Sequence, residues 1–304
     1  MPHSFPPAPA DFSTRTAAEL SIILPAKNEA GAVGNTVARI RAQFPAAEIL
    51  VVNDGSTDDT AALAAAAGAT VISHAHSLGN GAAIKTGARR AQGEILVFMD
   101  ADGQHDPADI PRFLAKMAEG FDMVVGARQA GSQASLGRGL ANRFYNALAS
   151  WMTGQKIEDL TSGFRAVRAE KFREFLYLLP NGFSYPTTST MAFFRAGYGV
   201  AYLPINAAKR IGKSHIRLLR DGLRFLLIIF KIGTLYSPLK LFLPVALLHL
   251  IVGLGYYIYT YSEFNRLSLA SVFLWSASIT IFLIGLVSEQ ITQLMYKDSG
   301  SKPH

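Results

Sequence analysis

Apolar positions in the first two-thirds of the chain come in short unbroken runs, each stopping on a polar residue or a glycine. Residues 21–26, 48–56, 70–73, 95–99 and 122–128 carry these runs and read as strands, the run 95–99 as one buried on both faces. Between them, helical spacing runs over 30–43, 57–67, 79–91 and 107–120. Ser56 or Thr57 suits the N-cap of the second helix, and Pro107 suits the first turn of the fourth. Strands alternating with helices of about 10–15 residues imply βαβ units and a mainly parallel α/β sheet. After Arg128 the pattern loosens. A Gly/Ser-rich loop spans 131–139, a helix 140–152, a polar turn 159–165 followed by a short strand, and a further strand 198–205.

The last third follows a different rule. Residues 239–261 hold only Lys240 and His249 as basic groups and no acid, and residues 268–287 carry no charge. Each run is long enough to cross a hydrocarbon core of roughly 30 Å. The short connection over 262–267, with Glu263 against Arg266, makes them a hairpin. Lys and Arg lie on both outer flanks, so both termini and the preceding domain are expected on the cytoplasmic side. Between the two regions, residues 216–235 read as an amphipathic helix, with Arg217, Arg220, Arg224 and Lys231 opposite Leu218, Leu219, Leu223, Leu226 and Leu227. Such a helix suits a membrane interface. A pair of core helices is the alternative reading of the two apolar runs.

Charge sharpens this division. Of the net +7, the segment 209–231 supplies +6, from seven Lys or Arg against Asp221. With no RNA-binding aromatic motif or zinc-finger spacing beside it, this basic stretch excludes nucleic acid as the expected partner. Its place before an apolar run points to anionic lipid headgroups. The chain has no cysteine, which removes disulfide and thiolate chemistry. Its Pro- and Ala-rich start lacks the apolar core of a signal peptide, so residues 1–19 are expected to form a disordered tail. The remaining boundaries fall at 20–215 for the α/β domain, 216–235, 236–290 for the spans, and 291–304 for a cytoplasmic tail.

The candidate chemistry lies where the strands end. The run Ile95 to Met99 stops on Asp100-Ala101-Asp102-Gly103-Gln104, and Glu29 and Asp54 follow the ends of two other strands. In open α/β sheets ligands bind outside the carboxyl ends of strands. Asp100 and Asp102 can converge on one hard divalent cation such as Mg²⁺ or Mn²⁺, which can bridge the phosphates of a nucleoside diphosphate. A solvated Asp-rich turn is the plain alternative. Gly79-Asn80-Gly81-Ala82-Ala83-Ile84 departs from a dinucleotide-binding fingerprint, because Ile84 stands where Gly or Ala is needed and no strand leads directly into it. Its glycines instead suit close approach of backbone to a ligand or another segment.

Taken in order, Pro25…Glu29, Val51-Val52-Asn53-Asp54-Gly55-Ser56, Gly79-Asn80-Gly81, Asp100-Ala101-Asp102-Gly103-Gln104-His105, Gly126-Ala127-Arg128 and Ser162-Gly163-Phe164-Arg165 resemble glycosyltransferase family 2. The resemblance covers about 20–235 and is strongest to the dolichyl-phosphate mannose synthase and bacterial polyprenyl-phosphate glycosyltransferase branch. It implies a GT-A nucleotide-diphospho-sugar domain and inverting, metal-dependent transfer from a GDP-mannose or UDP-glucose type of donor to a polyprenyl or dolichyl phosphate. It implies that Pro25, Lys27, Glu29, Val52, Asp54 and Ala101 hold the donor. Asp100, Asp102 and Gln104 would bind metal and diphosphate, while Arg128, Ser162 and Arg165 would face the acceptor phosphate. Asp100, Asp102 and Arg128 are the catalytic candidates. Lys209, Arg210, Lys213 and His215 resemble the family's Arg-x-x-Gly-x-Ser-Lys loop over the donor diphosphate, with Lys209 in place of Arg and His215 in place of the last Lys. Lys27 stands where an aromatic residue is common.

This chemistry agrees with the residues. A polyprenyl phosphate is already an anionic nucleophile, so the enzyme must place it and neutralise charge rather than supply a base. Two other readings compete. A processive polysaccharide synthase would carry Gln-x-x-Arg-Trp, but neither Trp151 nor Trp275 follows an arginine. A non-catalytic nucleotide-sugar-binding membrane protein would have no need of Asp100, Asp102, Gln104 and Arg128 together. A homo-oligomer is compatible with either.

Overall fold

In a computed structural model of the chain, residues 19–128, 136–182, 184–206, 230, 233–234 and 236–297 are described. The basic loop with Lys209, Arg210, Lys213 and His215 lies outside them, as do residues 216–229 of the predicted amphipathic helix and residues 1–18 and 298–304 of the tails, while residues 291–297 of the expected C-terminal tail continue the last helix. The described residues fall into two compact units, one bearing the sheet and the other the apolar hairpin.

Seven strands make one sheet: β1 (Leu20–Ala26), β2 (Glu48–Asn53), β3 (Thr70–Ser73), β4 (Ile95–Phe98), β5 (Met123–Arg128), β6 (Arg165–Arg168) and β7 (Val200–Ile205), ordered β3-β2-β1-β4-β6-β5-β7. All pairings are parallel except those of β6, which runs antiparallel between β4 and β5. The helices of this unit are α1 (Val33–Gln43), α2 (Thr60–Ala66), α3 (Asn80–Arg90), α4 (Ile110–Ala118), α5 (Leu136–Thr153), α6 (Ala169–Arg173) and α7 (Tyr185–Arg195), with a 3₁₀ turn at Pro107–Asp109 before α4. Ile22, Leu24, Val51, Val97, Phe113 and Phe164 are fully buried in one apolar core.

The helix 57–67 starts later than its sequence suggests. Asp59 is the N-cap residue of α2, and the Asp58 carboxylate accepts from the Thr60 backbone N–H at 3.1 Å. Ser56 and Thr57 instead engage Asn53 and Asn28, the Thr57 N–H donating to Asn28 Oδ1 at 2.9 Å. The glycines before α3 serve another segment of the chain. A Cβ on Gly81 would sit 2.0 Å from the Pro180 carbonyl, and Gly81 N–H and Ala82 N–H donate to Gly182 and Asn181 carbonyls.

Topology places the site. The β1–β4 ladder stops at Ile23 and Phe98, whereas β1 stays paired with β2 as far as Ala26 and Asn53. Beyond that point β1 and β4 are no longer joined, at the position where strand order turns from one direction to the other. This is the crevice in which open α/β sheets bind ligands.

The second unit holds α8 (Pro238–Phe264) and α9 (Leu269–Lys297), joined through Asn265 in the left-handed region at φ 49°. Ser278 Oγ donates to the Ala246 carbonyl across the pair at 2.7 Å, and Glu289 accepts from the Leu239 N–H at 3.3 Å. Both helices are long and apolar enough to cross a membrane.

Candidate active site

A cleft of about 490 Å³ opens at the carboxyl ends of β1, β2 and β4. Pro25, Ala26, Lys27 and Glu29 line it from β1, Asp54 from β2, and Asp100, Ala101, Asp102 and Gln104 from β4; Ser77, Gly79, Asn80 and Ala83 close it from α3 and the loop before it. Eight of the sequence-predicted residues therefore meet in one place. Val52 does not reach it. Its side chain is fully buried in β2, beneath α3.

The Asp100–His105 turn is fixed from behind. Gly103 has φ 74°, and the Gln104 N–H donates to Asp102 Oδ1 at 3.1 Å. His105 is buried, stacks on Phe164 with centroids 5.0 Å apart, and presents Nδ1 to the Asp100 N–H at 3.4 Å. The Asp100 carboxylate keeps 37% of its side chain exposed toward the cleft. Gly163 lies against it, where a Cβ would come within 3.3 Å of Oδ2. Two carboxylates and an amide oxygen form a hard oxygen donor set. Mg²⁺ and Mn²⁺ accept such a set when one or two carboxylates share the ion with water and phosphate. No group of three His, Cys or acidic side chains that could hold a metal ion exists among the described residues.

Asp54 is held differently. Its Oδ1 accepts from His74 Nδ1 and Leu78 N–H, each at 2.8 Å, and its Oδ2 from Ser77 Oγ at 2.7 Å and Gly79 N–H at 2.9 Å. Burial opposes its charge, but these donors outweigh burial, His74 foremost, and bring its pKa down to about 2.

Arg128, which is not among the residues lining this cleft, closes β5 with a two-pronged pair to Asp159: Nε to Oδ2 at 2.7 Å and Nη2 to Oδ1 at 3.0 Å. Nη2 also donates to Thr161 Oγ1 at 2.6 Å. Burial works against the guanidinium, yet Asp159 and then Asp100 raise its pKa above the usual value. Asp159, which the motifs did not single out, is thus the residue that orients Arg128. Its signal was an acid three positions before Ser162 in the same turn. Ser162 is buried, and its Oγ has no partner among the described residues.

Arg165 is not at the cleft. It is fully buried, with Nη1 donating to the Pro186 carbonyl at 3.0 Å, Ser189 Oγ at 2.9 Å and Thr190 Oγ1 at 3.1 Å, and Nη2 to the Ser162 carbonyl. Burial lowers its pKa. A buried cation with no carboxylate bound to it must be compensated by hydrogen bonds, and these tie the turn before β6 to α7. Tyr185 on α7 adds a bond from its hydroxyl to the Gly163 carbonyl at 3.0 Å.

A mainly parallel sheet with one antiparallel strand, a nucleotide-sized cleft at its switch point and an Asp-x-Asp turn beside it has the arrangement of a GT-A-like glycosyltransferase domain. Residues 21–176 match the glycosyl transferase family 2 domain and residues 237–294 the GtrB C-terminal hairpin; the chain belongs to glycosyl transferase family 2 and is an enzyme of that class. Glycosyltransferase AglJ of Haloferax volcanii is 29% identical over 272 residues, covering 87% of this chain and 88% of that protein. An undecaprenyl-phosphate 4-deoxy-4-formamido-L-arabinose transferase of Salmonella paratyphi A is 34% identical over 167 residues, covering 52% of this chain and 51% of its own. Among solved structures, glucosyl-3-phosphoglycerate synthase of Mycobacterium tuberculosis, in complex with Mn²⁺, UDP and glucosyl-3-phosphoglycerate, superposes with a TM-score of 0.58 at 22% identity, over 71% of this chain and 79% of that one. At that identity the likeness is one of fold.

Proposed function

We propose that the protein is a membrane-anchored inverting transferase that moves a sugar from a nucleoside-diphospho-sugar, of the GDP-mannose or UDP-glucose type, to a polyprenyl phosphate at the cytoplasmic face. The observation that carries this is the meeting of Pro25–Glu29, Asp54 and the Asp100–Gln104 turn in one cleft, in a chain that also carries an apolar helical hairpin. The relatives named for undecaprenyl phosphate support the acceptor class, and the neighbour bound to Mn²⁺ and UDP supports the donor class.

In this reading Lys27, Glu29 and the loop before α3 receive the nucleoside, and Asp100, Asp102 and Gln104 hold Mg²⁺ or Mn²⁺ with the diphosphate. The bound cation would neutralise charge on the departing nucleoside diphosphate. Arg128, aimed by Asp159, and Ser162 Oγ would receive the acceptor phosphate opposite. The phosphate oxygen attacks the anomeric carbon while the bond to the donor diphosphate breaks, so no side chain has to take a proton. The domain boundaries at 20–215, 216–235, 236–290 and 291–304 belong to this reading, as does a clamp made by Lys209, Arg210, Lys213 and His215.

The test is transfer of labelled sugar from a panel of UDP- and GDP-sugars to a polyprenyl phosphate, with Mg²⁺ or Mn²⁺ and with EDTA. One donor should give a lipid-phosphate-sugar product that EDTA removes. Metal-independent transfer, or turnover only with a non-lipid acceptor, would overturn the reading.

A further inference from the structure

The turn over residues 159–163 touches both candidate catalytic partners. Asp159 and Thr161 hold the Arg128 guanidinium, at 2.7 Å and 2.6 Å. Two residues on, Gly163 lies against Asp100, where a Cβ would stand 3.3 Å from Oδ2 and 3.5 Å from Oδ1. The turn is therefore a spacer between that carboxylate and that guanidinium.

What holds the spacer comes from inside the fold. The Ser162 carbonyl accepts from Arg165 Nη2, and the Gly163 carbonyl accepts from the Tyr185 hydroxyl at 3.0 Å. The other arm of the guanidinium, Nη1, reaches α7 at Pro186, Ser189 and Thr190. One fork thus pins the turn to α7, and Tyr185 of the same helix pins the next peptide. The Arg165 guanidinium also lies over the Tyr185 ring, with Cζ 5.7 Å from the centroid.

As a purely stabilising device this is a poor one. Arg165 is fully buried, its hydrogen-bond acceptors are all neutral, and its Nε has no partner among the described residues. A buried charge without a bound counter-ion is costly, and apolar side chains of similar volume often replace buried charges without loss of stability. A planar fork spans the turn and α7 together, which neither an apolar side chain nor a single ammonium does.

We propose that Arg165 and Tyr185 are positioning residues for transfer: they hold the Ser162 and Gly163 carbonyls from behind and so set the separation of Asp100 from Arg128. Both are buried and act through the turn. The inference rests on Asp100 lying at the donor diphosphate and Arg128 at the acceptor phosphate. Two anionic substrates must then meet at reacting distance, where a misplacement of about 1 Å can cost on the order of 10²-fold in rate. Loss of the pins should appear in kcat more than in donor binding, because most of the cleft is built from β1, β2 and the loop before α3.

The experiment is steady-state transfer to undecaprenyl phosphate by the full-length protein in detergent, from the UDP- or GDP-sugar that the donor panel identifies. Binding of UDP or GDP with Mn²⁺ and thermal unfolding are followed in the same samples. Tyr185→Phe, which removes one hydroxyl, should lower kcat by about 3- to 10-fold, with nucleotide affinity and donor KM within about twofold of wild type. Gly163→Ala, whose methyl group must displace Asp100 or Tyr185, should lower kcat on the order of tenfold. Arg165→Met should lower it on the order of 10²-fold. Arg165→Lys, which keeps the charge but not the fork, should stay closer to Arg165→Met than to wild type.

Wild-type kcat in both Tyr185→Phe and Gly163→Ala would overturn the proposal. Full recovery in Arg165→Lys would do so too, by assigning the effect to charge alone. A kcat that falls only in proportion to the folded fraction would mark a structural role, and a loss of nucleotide affinity as large as the loss of kcat would mark a donor-binding one; either overturns it. If Arg165→Met gives no cooperative unfolding transition, Tyr185→Phe and Gly163→Ala carry the test. Failure of the wild type to transfer from any UDP- or GDP-sugar would remove the functional reading, and this inference with it; wild-type transfer that the variants leave intact would remove the inference alone.

Discussion

The sheet unit and the hairpin bury opposite kinds of residue. In the sheet the large apolar side chains are inside, with Ile22, Leu24, Val51, Val97 and Phe113 fully buried. In the hairpin the inside is small. Beyond Pro238, the buried positions of α8 are Ala246, Gly253 and Thr260, and those facing them on α9 are Ser271, Ser278, Gly285 and Thr292, each seven residues from the last. The large residues point outward: Ile251 is 65% exposed and Phe273 73%. A seven-residue repeat keeps one seam in register between two helices. In water such an outer surface would drive aggregation. In hydrocarbon there is no hydrophobic force between helices, and close packing of small residues is what joins them. With only 11% and 17% of the most apolar windows buried, a pair of core helices does not describe the hairpin.

The largest predicted effect separates the two regions by chemistry. Asp102→Ala should lower transfer by roughly 10²–10³-fold, the loss of several kcal/mol of charge stabilisation. The protein should still fold, because the carboxylate, though buried and accepting from the Gln104 N–H, belongs to the turn after β4 and not to the apolar core of the sheet. Activity near wild type would detach the Asp100–Gln104 turn from the reaction.

The next contrast concerns packing. Leu24→Ala, at a fully buried position, should cost about 2–5 kcal/mol. Leu248→Ala, at a position 59% exposed on α8, should change stability in detergent by about 0.5 kcal/mol or less. The order reverses for added volume. A Cβ at Gly253 meets the Trp275 ring at 2.9 Å, so Gly253→Leu should part the helices and shift Trp275 fluorescence. Equal costs for Leu24→Ala and Leu248→Ala would contradict the inverted burial.

These contrasts bear on what the chain itself makes legible. Strands β1 to β5 are unbroken apolar runs, and such runs need no partner to be recognised. Strand β6 is only Arg165–Arg168, too short for a period, and its antiparallel place between β4 and β5 depends on a return of the chain that no local pattern encodes. A short strand is expected after the turn 159–165, where β6 lies, whereas helix α7 is not expected at all. Its YPTTSTMAFFR is rich in β-branched and aromatic residues, and Tyr185 through Phe193 are all buried, so it has no polar face to mark a helical period. The site divides in the same way. Carboxylates at strand ends, such as Asp100, Asp102 and Asp54, announce themselves by position. Partners brought in by tertiary contact, Asp159 on Arg128 and His74 on Asp54, do not. Arg165 shows the converse, a charged residue in a motif that the fold uses in its interior.

The smallest predicted effect is an acid-dependent one in the sheet unit. Asp54 has its pKa lowered from 3.8 to about 2, so the native state favours its ionised form. That contribution, on the order of 2 kcal/mol, is fully present above the unfolded value and is lost as pH falls through about 2. The stability gap between wild type and Asp54→Asn should therefore be constant above about pH 5 and close progressively in more acidic solution. A gap unchanged down to pH 2 would mean that the four donors do not stabilise the charge. The hairpin seam, which is built from neutral residues, should contribute nothing to this dependence.

The central claim is that the sheet unit performs the chemistry and the hairpin gives it a lipid acceptor. The most direct measurement compares transfer to a short, water-soluble polyprenyl phosphate and to undecaprenyl phosphate in vesicles, using the full chain and a variant lacking residues 236–304, with nucleotide binding followed in both. The account predicts that the shortened protein binds nucleotide and serves the short acceptor at a rate near that of the full chain, while its transfer to undecaprenyl phosphate falls by a far larger factor. Equal loss with both acceptors while nucleotide binding is retained, or undiminished transfer to undecaprenyl phosphate, would contradict it.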